Sequence, residues 1–197
     1  MKHTTLGLLI CTIPLTAKAE GFHFDFLLGS EFHAFDGPGW TRLDGIEMHT
    51  GKSWKVSQNQ YIFSGIAGGY FFDNDNSEFP TREITNYYGS LLFNWGYCFD
   101  NIDCHQSLYL RTAILTGRYE FDLLVDNTRP EIQENYLGFE LGVGYQFKID
   151  PFQAFYFLLT AKYHQMGEDW REKLGVVSSY VGRREIYALS PYLGYQV

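Results

Sequence analysis

Beyond its first twenty residues, this chain has no apolar run approaching the roughly twenty residues that a transmembrane helix needs. It also lacks an excess of basic residues, because 15 Lys and Arg stand against 23 Asp and Glu, giving a formal charge of −8. This charge argues against nucleic acid as a partner, which is bound through clustered cations. Because there is no run long enough for a transmembrane helix, any residence in a membrane would need a closed sheet. An open sheet edge in lipid would leave backbone N–H and C=O groups unpaired.

The first nineteen residues have the pattern of a secretory signal. Lys2 and His3 precede an apolar stretch from Leu6 to Leu15, and Ala17-Lys18-Ala19 forms a small-x-small site. We expect cleavage after Ala19, so that residues 1–19 are the signal peptide and 20–197 form a single domain. A membrane anchor is less favoured, because the apolar stretch is only about half the length of a spanning helix.

Cysteine is scarce, and the chain has only three. Cys11 lies within the expected signal peptide and would leave with it. Cys98 and Cys104 are separated by five residues, and in an exported protein this spacing predicts a disulfide across a tight turn. A metal site is less favoured because no histidine or second cysteine pair lies nearby at ligand spacing, and we expect neither a metal nor a cofactor.

The clearest strand signal runs from Tyr136 to Phe147, where apolar and polar residues alternate. One face carries Leu137, Phe139, Leu141, Val143, Tyr145 and Phe147, and the other carries Gly138, Glu140, Gly142, Gly144 and Gln146. Alternation of this kind over about ten residues is typical of a strand with lipid outside and a crowded, polar interior.

Similar alternation in other segments predicts further strands. The apolar faces begin at Phe22, Tyr87, Leu108, Phe155 and Tyr187, and the last of these faces continues through Leu189, Pro191, Leu193 and Tyr195 to Val197. Thr41 to Thr50 is the best stretch for a second strand, and Tyr61 to Phe72 for a third whose lipid face the pattern does not decide. The total is eight, or ten if residues 39–58 hold more than one strand. Proline cannot donate to a ladder, so we expect a bulge at Pro191.

The connections between these strands alternate in length. Asp100 to Cys104 and Lys148 to Pro151 are short, whereas Asp73 to Thr85, Asp122 to Glu134 and Glu168 to Arg184 are long and polar. Barrels of this kind keep short turns on the periplasmic side and long loops outside. With the carboxyl terminus in the periplasm, both short turns fall inside and all three long loops fall outside.

These patterns predict an all-β protein, an eight-stranded antiparallel up-and-down transmembrane β-barrel. The alternative is a soluble β-sandwich or a lipocalin-like barrel with its apolar face inward. It is less favoured because a soluble core must be filled by large apolar residues, whereas the polar faces here carry charges and glycines.

The segments Tyr136–Phe147 and Ser190–Val197, together with the signal peptide, resemble the small outer-membrane barrels that include the OmpA transmembrane domain, the OmpX- and Ail-like proteins and the opacity-type surface antigens. The resemblance implies an integral protein of the cell outer membrane that contacts lipid and lipopolysaccharide. It also implies recognition by the barrel-assembly machinery through the last strand, although Val197 stands where the family usually has an aromatic residue. The expected role is a surface or structural one, in adhesion or the envelope, with extracellular loops that bind partners.

Seven charged or titratable residues are expected to face the lumen: His23, Asp25, Glu31, Arg111, Glu140, Lys162 and His164. Charges in so narrow an interior must pair or be neutralised, so we expect a structural ion-pair network that plugs the barrel. The alternative is a narrow ion- or proton-conducting path lined by the same groups.

An enzymatic alternative is a lipid A-modifying hydrolase. The outer-membrane lipid A deacylases carry a His-x-Ser pair late in the chain and a Glu on the next strand, and His164 and Glu185 would match the base and its orienting group. Met166 stands where the nucleophilic serine should be, and Ser178 and Ser179 in the following loop are the substitutes that the sequence offers. We therefore expect no enzymatic activity.

Overall fold

The computed structural model describes residues 18–34, 40–73, 83–100, 104–122, 131–149, 153–167 and 185–196. Nearly all of them belong to eight strands, which run as β1 (Lys18–Ala34), β2 (Thr41–Ser57), β3 (Gln60–Phe72), β4 (Glu83–Cys98), β5 (Gln106–Asp122), β6 (Glu131–Lys148), β7 (Ala154–Met166) and β8 (Glu185–Gln196). Each strand pairs antiparallel with its neighbour in the chain, and β8 pairs with β1 to close a barrel. The predicted fold and strand number are confirmed.

The inward and outward faces of β6 follow the alternation in its sequence. Leu137, Phe139 and Leu141 are 62%, 60% and 64% exposed, whereas Glu140 is 1% exposed. The same rule holds around the barrel, where large apolar side chains form a continuous outer belt. A surface this apolar is stable against lipid tails rather than water. No helix long and apolar enough to cross a membrane occurs among the residues that the structure describes.

The second strand is longer than the predicted Thr41 to Thr50, because it continues to Ser57. It pairs with β1 as far as Lys55 and with β3 as far as Ser57. Alternation in the sequence does not predict this extension, because the charged Lys52 lies on the outer face and the small Gly51 and Ser53 lie on the inner face. The sequence pattern did not decide which face of β3 points outward. The structure shows that it is the face that carries Ile66 and Tyr70.

The prediction of a bulge at Pro191 is wrong. Pro191 pairs with Leu159 of β7, and the register between β1 and β8 is the same on both sides of it, from Gly29↔Tyr192 to Phe32↔Leu189. The ladder to β1 is instead interrupted over the two positions between these pairs. The missing N–H of proline is thus accommodated by lost pairing rather than by an inserted residue.

Residues 58–59, 99–105 and 149–153 connect strands whose joined ends lie at one end of the barrel, which we call the short-turn end. A disulfide joins Cys98, the last residue of β4, to Cys104 in the connection that follows it. The other four connections join strand ends at the opposite, long-loop end; the first of them, residues 35–40, is as short as those of the short-turn end. Most residues of these four connections lie outside the described part of the chain, as does the expected signal peptide up to residue 17. β1 begins at Lys18, two residues before the expected mature start.

Candidate functional site

The middle of the lumen holds five buried charged side chains, each from a different strand. We call them the charge cluster: Glu31 (β1), Glu47 (β2), Arg111 (β5), Glu140 (β6) and Lys162 (β7). All are at most 2% exposed. Because the cluster draws on β1, β2, β5, β6 and β7, it connects opposite walls of the barrel.

Arg111 and Lys162 organise the charge cluster by contacting several carboxylates at once. Arg111 Nη2 lies 2.5 Å from Glu47 Oε1, and its Nε contacts Glu140. Lys162 Nζ lies 2.5 Å from Glu31 Oε1 and 3.6 Å from carboxylate oxygens of both Glu47 and Glu140. Each of these buried carboxylates therefore has a cation within ion-pair distance, which offsets the cost of removing the charges from water.

Aromatic side chains enclose the Lys162 ammonium. It donates hydrogen bonds to the hydroxyls of Tyr88 at 2.5 Å and Tyr192 at 2.7 Å, and the Tyr192 hydroxyl donates in turn to Glu31 at 2.9 Å. The ammonium also lies 4.2 Å from the Tyr88 ring centroid and 5.5 Å from that of Phe71. Hydrogen bonds and cation–π contacts together hold the charge in one position.

A histidine and tyrosine layer lies between the charge cluster and the long-loop end. Glu31 Oε2 is 3.0 Å from His33 Nε2, and the Tyr119 hydroxyl lies 3.0 Å from His33 Nδ1 and 2.7 Å from His164 Nδ1. Tyr136 stacks on His164 with ring centroids 4.2 Å apart. Apolar side chains fill the space around this layer, and the half of the lumen on the long-loop side is therefore closely packed. These side chains are Leu43, Phe71, Ile84, Leu115, Phe121 and Ile186.

The short-turn half of the lumen is different, because it contains a cavity of about 660 Å³. Its inner end is formed by Arg111 and His49, and its walls include Asp25. Side chains therefore do not fill this half of the lumen. Glycines on the inner face explain why: a Cβ at Gly96 or Gly144 would overlap the ring of Tyr61 or Tyr109, so these rings lie flat against the wall.

The structure brings four of the predicted lumen residues, Glu31, Arg111, Glu140 and Lys162, into the charge cluster itself. His164 lies in the adjoining layer and is linked to Glu31 through Tyr119 and His33. The other two predicted residues lie in the cavity wall, where His23 contacts Ser53 and Gln196, and Asp25 faces His49.

Among the interior residues that the sequence analysis did not predict are Glu47, His49 and His33. Glu47 and His49 alternate with outward-facing Ile46 and Met48, so the signal was present, but the strand had not been assigned inner and outer faces. His33 lies two residues after Glu31 on the same face of β1, beyond the part of the strand with clear alternation.

The hydrolase pairing of His164 with Glu185 is not formed. His164 lies opposite Ile186 and points into the lumen, whereas Glu185 lies opposite Gln165 and is exposed on the outside, where it accepts a hydrogen bond from Tyr187. The side-chain period of two puts the pair on opposite faces of the sheet, so a base and its orienting carboxylate cannot meet. Ser178 and Ser179 lie outside the described residues.

Comparison with solved structures shows which proteins share this fold. Neisserial surface protein A matches with a TM-score of 0.58 and 12% identity over 91% of this chain and 98% of its own. The chain has the fold of the small outer-membrane barrels. Ail of Yersinia pestis (TM-score 0.48, 13% identity, 89% and 97% covered) and the outer membrane enzyme PagL (0.43, 15%, 88% and 98%) also match. No protein-family model and no curated protein sequence matches the chain.

With this fold and its apolar belt, the protein is an integral barrel of the outer membrane, in contact with lipid through the side chains that the sequence predicted to face outward. Because barrels of this kind keep their short turns in the periplasm, the short-turn end, with the disulfide and the mouth of the cavity, is predicted to face the periplasm.

Proposed function

We propose that the protein is a surface or structural barrel whose lumen is closed to solutes and whose extracellular loops bind partners, in adhesion or in the envelope. The observation that carries the proposal is the charge cluster, in which five side chains from five strands form ion pairs at the middle of the lumen. A solute could pass only if several of these buried contacts broke together, and breaking even one buried pair costs about 3–5 kcal/mol.

The packed layer beyond the charge cluster supports closure at the extracellular side. Tyr119, Tyr136 and His164 are each at most 4% exposed and contact one another. Activity at the cell surface therefore falls to the loops, whose sequences are polar and charged at residues 73–78 and 168–173. Exposed polar loops on a rigid scaffold are a common place for binding residues.

The proposal also covers the route to the membrane. A mature chain beginning at Glu20 after signal cleavage would be assembled through β8, which presents Tyr187, Leu189 and Leu193 on its outer face. No hydrolytic step is included, because His164 and Glu185 lie on opposite faces of the sheet.

Planar-bilayer recording of the purified barrel tests closure. We expect no conductance steps from the wild type. The double variant Glu31→Ala/Lys162→Ala removes two charged side chains of the charge cluster, and it should give measurable conductance steps if it retains its heat-modifiable band on a gel. Steady conductance of the wild type would support the ion-channel alternative and end the proposal of a closed lumen.

Loop function requires a separate measurement on whole cells. Replacing residues 168–184 with a short Gly-Ser turn should preserve heat modifiability and abolish adhesion of expressing cells to a host-cell monolayer. The binding role would be contradicted if adhesion were the same for cells with the wild type, cells with the loop variant and cells that lack the protein. A lipid A mass spectrum that changes on expression would instead point to enzymatic activity.

A further inference from the structure

The periplasmic cavity contains polar groups without close partners. Asp25 is 7% exposed, and its carboxylate accepts a hydrogen bond from Tyr156 at 3.4 Å and lies 3.9 Å from His49 Nδ1. Both distances are longer than the 2.5 Å ion pairs of the charge cluster. Asn94 also lines the cavity, and its Oδ1 has no hydrogen-bond partner among the described residues. A buried carboxylate without a cation is costly, so the cavity offers acceptors to a ligand that brings donors.

The side chains around Asp25 suit a cationic group. The rings of Tyr109 and Tyr156 pack edge to face with centroids 6.1 Å apart, and Phe63 adds a third ring to the wall. Aromatic faces attract ammonium groups. The two cations of the charge cluster are shared among its three carboxylates, so neither of them serves as the close partner of Asp25.

The mouth of the cavity has the opposite charge. Lys55 and Lys148 line it where β2 and β6 approach their periplasmic ends. Lysines at the mouth repel a simple cation but attract a carboxylate, whereas the acceptors deeper inside attract an ammonium. This arrangement of charge is complementary to a molecule with an ammonium at one end and a carboxylate at the other.

We propose that this cavity binds a small zwitterion of the amino acid or short-peptide class, with its ammonium at Asp25 and its carboxylate at Lys148. A volume of about 660 Å³ lies within the range of small-molecule sites. The inference goes beyond the proposed surface role and does not depend on the loops, because the cavity opens on the periplasmic side of the charge cluster.

An NMR titration of the barrel in lipid nanodiscs tests the site. The side-chain amides of Gln146 and Gln196, which line the cavity and lie 3.0 Å apart, serve as local reporters. The probes are 4-aminobutyrate and 6-aminohexanoate, with butylamine and butyrate as ligands that carry one charge each. We expect saturable shifts with at least one zwitterion and weaker binding of both singly charged probes.

Two variants separate the ends of the ligand, and each keeps the size of the side chain. Asp25→Asn should weaken zwitterion binding about tenfold, since a hydrogen bond to a charged group contributes roughly 1.5 kcal/mol or more. The control Asp44→Asn, on the outer face beside Ser30 and Arg42, should change nothing. Lys148→Gln should weaken binding of the zwitterion but not of butylamine, because it removes an attraction for the carboxylate and a repulsion for the ammonium. This provides a second test if Asp25→Asn fails to assemble.

The proposal is overturned if no probe shifts either amide, if butylamine binds as tightly as the zwitterions, or if the zwitterions bind equally to the wild type, Asp25→Asn and Lys148→Gln. Conductance and adhesion are measured separately, so failure here leaves the proposed surface role intact, and the reverse also holds.

Discussion

The charge cluster makes Arg111 the residue whose loss we expect to be most costly. Replacing it with Met keeps much of its volume but leaves Glu47, at 2.5 Å, and Glu140 without their guanidinium, and it also removes the 2.9 Å contact to His49. Removing one partner of a buried ion pair costs about 3–5 kcal/mol. Lys162 stays 3.6 Å from both carboxylates, which keeps the expected loss within this range rather than doubling it.

Reversible urea unfolding in lipid vesicles, followed by tryptophan fluorescence, measures this loss. The matched control is Arg118→Met on the same strand, because Arg118 lies on the outside and donates to the neutral side chains of Asn135 at 2.9 Å and Gln133 at 3.0 Å. Substitution of an exposed residue of this kind should change the free energy of unfolding by about 0.5 kcal/mol or less.

A double variant tests whether the loss comes from unpaired charge. Adding Glu140→Gln to Arg111→Met removes one stranded carboxylate, so the double variant should be less destabilised than the sum of the two single changes. The reasoning is refuted if Arg111→Met costs no more than Arg118→Met, or if the two losses simply add.

Three further changes test other parts of the barrel. Gly144→Val should prevent heat-modifiable folding because its Cβ would overlap the Tyr109 ring, whereas Gly89→Val, whose Cβ meets nothing closer than 3.9 Å, should fold normally; equal behaviour on a gel would contradict this packing. Replacing both Cys98 and Cys104 with serine should lower the free energy of unfolding by about 2 kcal/mol, because the disulfide then no longer restricts the entropy of a short loop in the unfolded chain. An unchanged urea midpoint would show that the disulfide adds no stability. Leu141→Arg, in the middle of the apolar belt, should cost about 2–4 kcal/mol in vesicles, and the same change near a strand end should cost far less; a cost that does not vary with depth would argue against lipid contact there.

Most of the fold follows from local pattern. Along β6 the alternation of Leu137, Phe139 and Leu141 with Gly138 and Glu140 defines both the strand and its two faces, because side chains in a strand point to opposite sides at every step. The pattern fails where the inner face carries small residues or the outer face a charge, as in residues 51–57, and there the strand length follows from pairing with its neighbours.

The sequence by itself determined the barrel and the direction in which charges such as Glu140 and Arg111 point, since both depend on periodicity within single strands. Only the tertiary structure decided which charges meet. Register between strands brought Glu47 to Arg111, placed Glu185 outside the barrel away from His164, and left Asp25 facing a cavity. Contacts across a lumen join residues far apart in the chain, and no periodicity within a single strand encodes how the strands are staggered around the barrel.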